Sequence, residues 1–310
     1  MSKKRKPTSL IEAIRYFADR DVAIDFVAKL RWPDGPFCPR CGCTEYSYLT
    51  TRGVWKCKAC KRQYSVKVGT IFEDSPLGLD KWLPAVWLAA NSKNGISSHE
   101  LGRALGITQK SAWFMLHRIR LAMQDRSLNK LTGEVEVDET YIGGKARNMH
   151  AIDRKRKGIT QGGRDTHQVP VLGMVERGGR AHAEVVPNIQ ARTLRPRVKS
   201  AVRAGSTLYT DDFGAYKSMN IAFDHKTIDH AERYVDGRVH TNTIENFWSL
   251  VKRGLNGTYV SVEPFHLFRY LDERVFTFNE RENTDHGRFA AVLGTIAGRR
   301  LTYAEVTGCS

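Results

Sequence analysis

Four cysteines constrain this chain more than any other feature. They lie in CPRCGCTEYSYLTTRGVWKCKAC, where Cys38 and Cys41 form one C-x2-C pair and Cys57 and Cys60 a second, with residues 42–56 between them. Zinc takes four thiolates in a tetrahedron, and two such knuckles on facing hairpins supply them at this spacing. So short a module has too little core to fold alone, so the metal supplies the stability. Residues 31–72 are therefore expected to form a zinc ribbon. With four protein ligands that Zn²⁺ is structural, not catalytic. The competing reading is four buried or redox-active thiols. Cys43 is either a spare ligand or a bystander, and Cys309 is expected to have no structural role. Thiols at metal spacing also indicate a reducing compartment.

Charge narrows the partners. Lys and Arg number 49 against 33 Asp and Glu, a net charge of +16 over 310 residues. That excess suits a polyanion such as nucleic acid. Arg40, Lys56, Lys58, Lys61 and Arg62 stud the ribbon, as DNA contacts or as a solvated rim. The start, MSKKRKPTS, is basic but is followed by no apolar stretch, so it does not read as a secretory signal. No apolar run approaches the roughly 18 residues of a membrane span. The expectation is a soluble intracellular protein with no membrane partner. With 41% hydrophobic residues, the chain can build several domains.

Residues 1–30 read as a basic N-terminal helical segment, and 76–125 as three helices. Within the latter, ISSHELGRALGITQKSAWFMLHRIRLAMQ carries helix punctuation. Ser97 and Glu100 have capping-box spacing, Gly106 suits a sharp turn, and Thr108 suits the next N-cap. Ala112, Leu116, Ile119 and Met123 form one apolar stripe. Lys110, His117, Arg118 and Arg120 lie largely off it. This is a helix-turn-helix pattern, whose second helix enters the major groove of DNA. A plain helical hairpin gives the same pattern.

Residues 131–285 read as an α/β domain. GEVEVDETYI, HQVPVLGMVE and AHAEVVP are strands; then come helix TLRPRVKSAV, strand STLYTDD, strand FDHKTID, helix TIENFWSLVKRG and helix PFHLFRYLDERVFTFNER. The first two strands are joined by GGKARNMHAIDRKRKGITQGGRDT, whose charges and glycines read as a mobile loop. This order matches a ribonuclease H-like plan, a mixed five-stranded sheet with helices. Residues 286–310 read as a C-terminal tail.

Acids recur at element ends. Glu134, Glu136 and Asp138 alternate along one strand face. Asp211 and Asp212 stand at a strand exit, and Glu245 near a helix start. Singly, each has a plain explanation. Carboxylates at strand ends form turns, and Asn242 with Glu245 has capping-box spacing. Together they carry more weight, because the ribonuclease H-like order brings Asp138, Asp211 and Glu245 to one point. Oxygen ligands from separate elements form a Mg²⁺ or Mn²⁺ site, and two such ions can serve phosphodiester chemistry. Lys252 follows Glu245 by seven residues, nearly the same helix face. It either holds a DNA phosphate or is an ordinary solvated lysine.

These blocks together, CPRCG…KCKAC, the ISSHELGRALGITQKSAWFMLHRIR segment, EVDETYIGGK, TDDFGAY and HTNTIENFWSLVKRGLNGTY followed by HLFRYLDERVFTFNER, resemble a bacterial insertion-sequence transposase of the DDE superfamily. The branch is the one with an N-terminal zinc ribbon, and the resemblance covers roughly residues 10–285. It implies that Asp138 and Asp211 are the first two catalytic carboxylates. The third is Glu245 on charge and spacing, with Asn242 as a second ligand or the alternative. Asp212 is not implied as a ligand. His240 is expected near the site or in a capping or packing role. The implied activity is metal-dependent strand cleavage at terminal inverted repeats, then strand transfer into target DNA, by a homodimer or higher oligomer on double-stranded DNA. The rival readings are a zinc-ribbon DNA-binding regulator with an inert transposase-derived domain, and a ribonuclease H-like nuclease.

Overall fold

The computed structural model describes residues 6–126, 129–143, 150, 152, 155, 168–228 and 241–308. The chain divides into two compact units, residues 1–124 with 282–310, and residues 125–281. Most of the long basic loop, His240 and Cys309 lie outside the described residues. No described helix is long and apolar enough to cross a membrane.

The first unit opens with helices α1 (Leu10–Phe17) and α2 (Arg20–Arg31), whose N-termini are capped by the Ser9 and Asp19 side chains. Strands β1 (Tyr46–Leu49), β2 (Val54–Cys57) and β3 (Gln63–Tyr64) follow as an antiparallel sheet in that order. The buried rings of Trp55 and Tyr64 pack on Trp32, with centroids 5.2 and 6.0 Å away. Helices α3 (Leu79–Asn91), α4 (Ser98–Leu105) and α5 (Gln109–Met123) come next. The Ser97–Glu100 capping box forms. Gly106 ends α4 at φ +63°, a left-handed conformation that glycine adopts at low cost. Thr108 caps α5 by accepting the Ser111 N–H at 3.2 Å.

The apolar stripe of α5 is buried as expected, but the basic residues beside it are not on the surface. His117, Arg118 and Arg120 are each at most 4% exposed. The reason is that α5 is covered on more than one side. Arg118 donates to the carbonyls of Ile71 (3.1 Å), Glu73 (2.6 Å) and Leu301 (3.0 Å), so its charge clamps three strands of chain together. Lys110, near the N-terminus of α5, is exposed and lies 4.9 Å over the Tyr303 ring. The segment expected as a C-terminal tail contributes helices Asp285–Gly294 and Tyr303–Thr307 to this unit. Phe289 is fully buried, with ring centroids of Phe17, Phe26 and Trp87 5.0–6.3 Å away.

In the second unit, β4 (Glu134–Ile142), β5 (Val169–Glu176), β6 (Ala181–Val185), β7 (Thr207–Asp211) and β8 (Asp224–Ile228) form a mixed five-stranded sheet in the order β6-β5-β4-β7-β8. β4 runs antiparallel to β5 and parallel to β7, and β7 parallel to β8. This is the ribonuclease H-like arrangement, with the first and fourth strands adjacent. Helix α6 (Ala191–Ala201) fills one face through Leu194 and Val198, against Val135, Val137 and Leu208. Helices α7 (Asn242–Arg253) and α8 (Leu267–Asn279) fill the other, where Phe247, Trp248 and Val251 meet Val171, Val175 and Phe278. Alternation along β4 therefore sends Val135 and Val137 toward α6, and Glu136 and Asp138 toward α7.

Candidate active site

β4 is the middle strand, and its α7 face carries Glu134, Glu136 and Asp138 in three different situations. Glu134 accepts the Tyr209 hydroxyl at 2.8 Å and lies 3.6 Å from Arg177. Glu136 is fully buried and binds Arg177 Nε at 2.7 Å. The Arg177 guanidinium stacks 3.9 Å over the Tyr209 ring, so one cation serves both glutamates. Asp138, half-buried, is held instead by the indole N–H of Trp248, which donates to Oδ2 at 3.0 Å.

Asp138 is also the charge its neighbours press upon. Burial, then the carboxylates of Asp211 and Glu245, push its pKa up to about 6, although the Trp248 bond opposes this. Glu139 is pushed up to about 7, chiefly by burial; the Tyr216 hydroxyl that donates to it works the other way.

The topology explains why Asp211 is felt here. The last parallel rung between β4 and β7 pairs Glu136 with Tyr209. Two residues further along each strand come Asp138 and Asp211, on strands about 4.8 Å apart. Glu245 arrives from α7. Asp138, Glu139, Glu245, Ser249, Lys252 and Arg253 line one cleft of about 850 Å³. Glu245, Ser249 and Lys252 follow at helical spacing and are all exposed. Asp211 ends β7, half-buried, outside that lining; Asp212 beside it is exposed.

Asn242 is the first residue of α7, exposed, and not part of the cleft wall. Nor does it form the capping box that its spacing to Glu245 suggests. Thr241 occupies the N-cap, and no cap bond from its side chain is made. Glu245 meets the Thr241 hydroxyl at 3.4 Å. The helix start is satisfied from another strand: the Ile244 N–H donates to Glu136 Oε2 at 2.9 Å, and the Thr243 hydroxyl to Oε1 at 3.0 Å.

Reading residues singly misses Glu136, Arg177, Trp248 and Gly173. One signal was available: Gly173 interrupts an otherwise bulky strand, which marks a close approach. It pairs with Asp138 across the sheet, and a Cβ there would stand 2.4 Å from the Trp248 ring.

The cysteine cluster is tighter. Among the described residues, Cys38, Cys41, Cys57 and Cys60 are the one group of three or more such side chains placed to hold a metal ion, with ligand atoms all within 4.8 Å of one another; the three acids do not form a second such group. Cys38–Cys60 and Cys41–Cys57 sulfurs are 3.6 Å apart. A tetrahedron with Zn–S near 2.3 Å has edges of about 3.8 Å, so the four fit a structural zinc. The Cys60 N–H, 3.5 Å from the Cys57 sulfur, helps hold the Cys57 thiol down at about 6. Cys43 stays outside, hydrogen-bonded to the Glu45 backbone. Arg40, Lys56, Lys58, Lys61 and Arg62 are all exposed.

Two family models match the chain, one described as an ISXO2-like transposase domain over residues 130–279, the other as a transposase zinc-ribbon domain over residues 19–63. An uncharacterized protein in transposable element ISH50 of Halobacterium salinarum is 32% identical over 257 residues, covering 78% of this chain and 85% of that one. An uncharacterized transposase-like protein of Haemophilus influenzae is 33% identical over 104 residues, 33% of this chain and 84% of that one.

Proposed function

This chain belongs to the ISXO2-like transposase family, and from that premise we propose that its second unit cuts and joins DNA at the ends of an insertion sequence. The observation that carries the reading is Asp138 on the middle strand. It shares a cleft with Glu245 and Lys252, and Asp211 and Glu245 both act on its charge. Asp138, Asp211 and Glu245 offer oxygen donors from three elements, the hard ligands that would hold Mg²⁺ or Mn²⁺ once DNA and metal draw them together. Such ions supply activation of the attacking oxygen and stabilisation of the leaving one.

The chain's own groups do the rest. Trp248 orients the Asp138 carboxylate and favours its charged form. Lys252 and Arg253, exposed on the cleft wall, hold backbone phosphates beside the acids. Glu245 is preferred to Asn242 as the third ligand, because it carries a charge that acts on Asp138 and it lines the cleft beside it. Water attacks a phosphodiester at the terminal repeat and breaks its P–O3′ bond, freeing a 3′-hydroxyl and leaving a 5′-phosphate; that hydroxyl attacks a target phosphodiester and displaces the target's own 3′-hydroxyl. The zinc ribbon and the N-terminal end of α5 recognise the repeat. The two ends are joined by a dimer or larger assembly, at the nucleoid of the cytoplasm.

The test uses the full chain, a labelled terminal repeat from its own element, and Mg²⁺ or Mn²⁺. Wild type is expected to nick the repeat end and join it to target DNA. Asp138→Ala and Asp211→Ala are expected to bind the repeat and cut nothing. Glu245→Gln is expected to lose cleavage, and Asn242→Ala to keep it; the reverse would move the third ligand to Asn242. A wild type that binds but never nicks supports the regulator reading. One that cuts branched DNA without joining supports the nuclease reading.

A further inference from the structure

We propose that Glu136 is the positioning residue that sets α7, and with it Glu245, in register against Asp138. The proposal rests on the reading of the site given above. The first N–H groups of a helix lack internal partners, and α7 receives no side-chain cap from Thr241. Glu136 supplies the missing acceptor from β4. Its Oε2 takes the Ile244 N–H at 2.9 Å, and its Oε1 takes the Thr243 hydroxyl at 3.0 Å. A carboxylate there also complements the positive end of the helix. The group is fully buried, and Arg177, 13% exposed, fixes it from the other side at 2.7 Å.

Two bonds then tie the helix to the strand. Glu136 meets Ile244, and Asp138 meets Trp248. Residues 136 and 138 are about 6.7 Å apart along a strand. Residues 244 and 248 are about 6 Å apart along a helix. The two spacings match, so both bonds form only when α7 lies in one register. Glu245 follows the first tie directly. The apolar contacts of Ile244, Phe247 and Val251 hold the helix to the sheet, but such contacts are non-directional and do not fix register.

Glu136→Gln keeps the volume and one acceptor for Arg177 and Thr243, but turns an amide NH₂ toward the Ile244 N–H. The readouts, on the full chain, are Mn²⁺ affinity by electron paramagnetic resonance and the division of the cleavage defect between kcat and KM. We expect Mn²⁺ to bind about tenfold more weakly or worse, the range for losing an outer-shell partner of a metal site. We expect kcat to fall while KM for repeat DNA stays unchanged. Thr243→Val, which removes one of the bonds to Glu136, should move both readouts the same way by less. A lowered melting temperature with unchanged Mn²⁺ affinity and kcat would overturn the proposal. If Glu136→Gln does not fold, unchanged values in Thr243→Val overturn it. A wild type that binds no Mn²⁺ would instead overturn the reading of the site.

Discussion

The indole N–H of Trp248 reaches Asp138 Oδ2 at 3.0 Å because residue 173, paired with Asp138 on the next strand, has no side chain. The ring occupies the place where a Cβ of residue 173 would stand. Gly173→Ala should therefore cost about 1–3 kcal/mol by overpacking and displace the indole. Trp248 is the one tryptophan between residues 125 and 281. Gly173→Ala should shift its fluorescence, seen as the difference from the same variant in a Trp248→Phe background. An unchanged melting temperature and spectrum would show that the ring does not lie there.

The raised pKa values of Asp138, about 6, and Glu139, about 7, give a stability prediction for the metal-free protein. Between roughly pH 4 and 7 the folded chain holds protons at these groups that the unfolded chain releases. Their contribution is full below pH 4 and is lost as pH rises through 6 to 7. Melting temperature should fall across that window, and fall less in an Asp138→Asn, Glu139→Gln double variant. Divalent cation affinity should run the opposite way and strengthen with pH, because ligand carboxylates must be ionised. Calorimetry at pH 5 and pH 7.5 checks the first, and Mn²⁺ titration the second.

Arg118 and Lys110 should separate folding from DNA contact on one helix. Arg118→Met leaves three carbonyls without their donor and should destabilise the first unit by about 3 kcal/mol or more. Lys110→Ala should leave the melt unchanged, weaken binding to DNA of any sequence, and reduce the salt slope of binding by about one. A Lys110→Ala protein with an unaltered salt slope would remove the N-terminal end of α5 from the interface.

Cys57→Ser should lower zinc content, because it removes one of four sulfurs that fit a tetrahedron. Limited proteolysis should then open the chain within residues 31–72 and leave residues 125–281 intact. Cys43→Ser should change neither readout, since Cys43 stands outside the group.

Much of this was legible in the sequence. Cysteine spacing gives the ribbon, the Ser97–Glu100 pair gives a helix start, and the strand order places β4 beside β7. What was not legible depends on partners distant in sequence. Arg118 looks like a surface cation until Leu301, 183 residues later, supplies a carbonyl for it. Glu136 looks like one of three equivalent acids until Arg177 and Ile244, 41 and 108 residues away, engage it. The Asn242–Glu245 spacing suggested a local cap, but a buried carboxylate on another strand took that place. Local rules identify helix ends, whereas the atom that satisfies an end is chosen by tertiary packing.

The presence of Phe289 in a core built on Phe17, Phe26 and Trp87 has a consequence for synthesis. The first unit is assembled from two segments, residues 1–124 and 282–310, and the second lies between those segments in sequence. A ribosome therefore releases residues 125–281 complete while the earlier-made helices still await their last aromatic ring. A chain cut off between residues 281 and 289 would therefore keep residues 125–281 whole and leave the first unit without the ring that Phe17, Phe26 and Trp87 pack on.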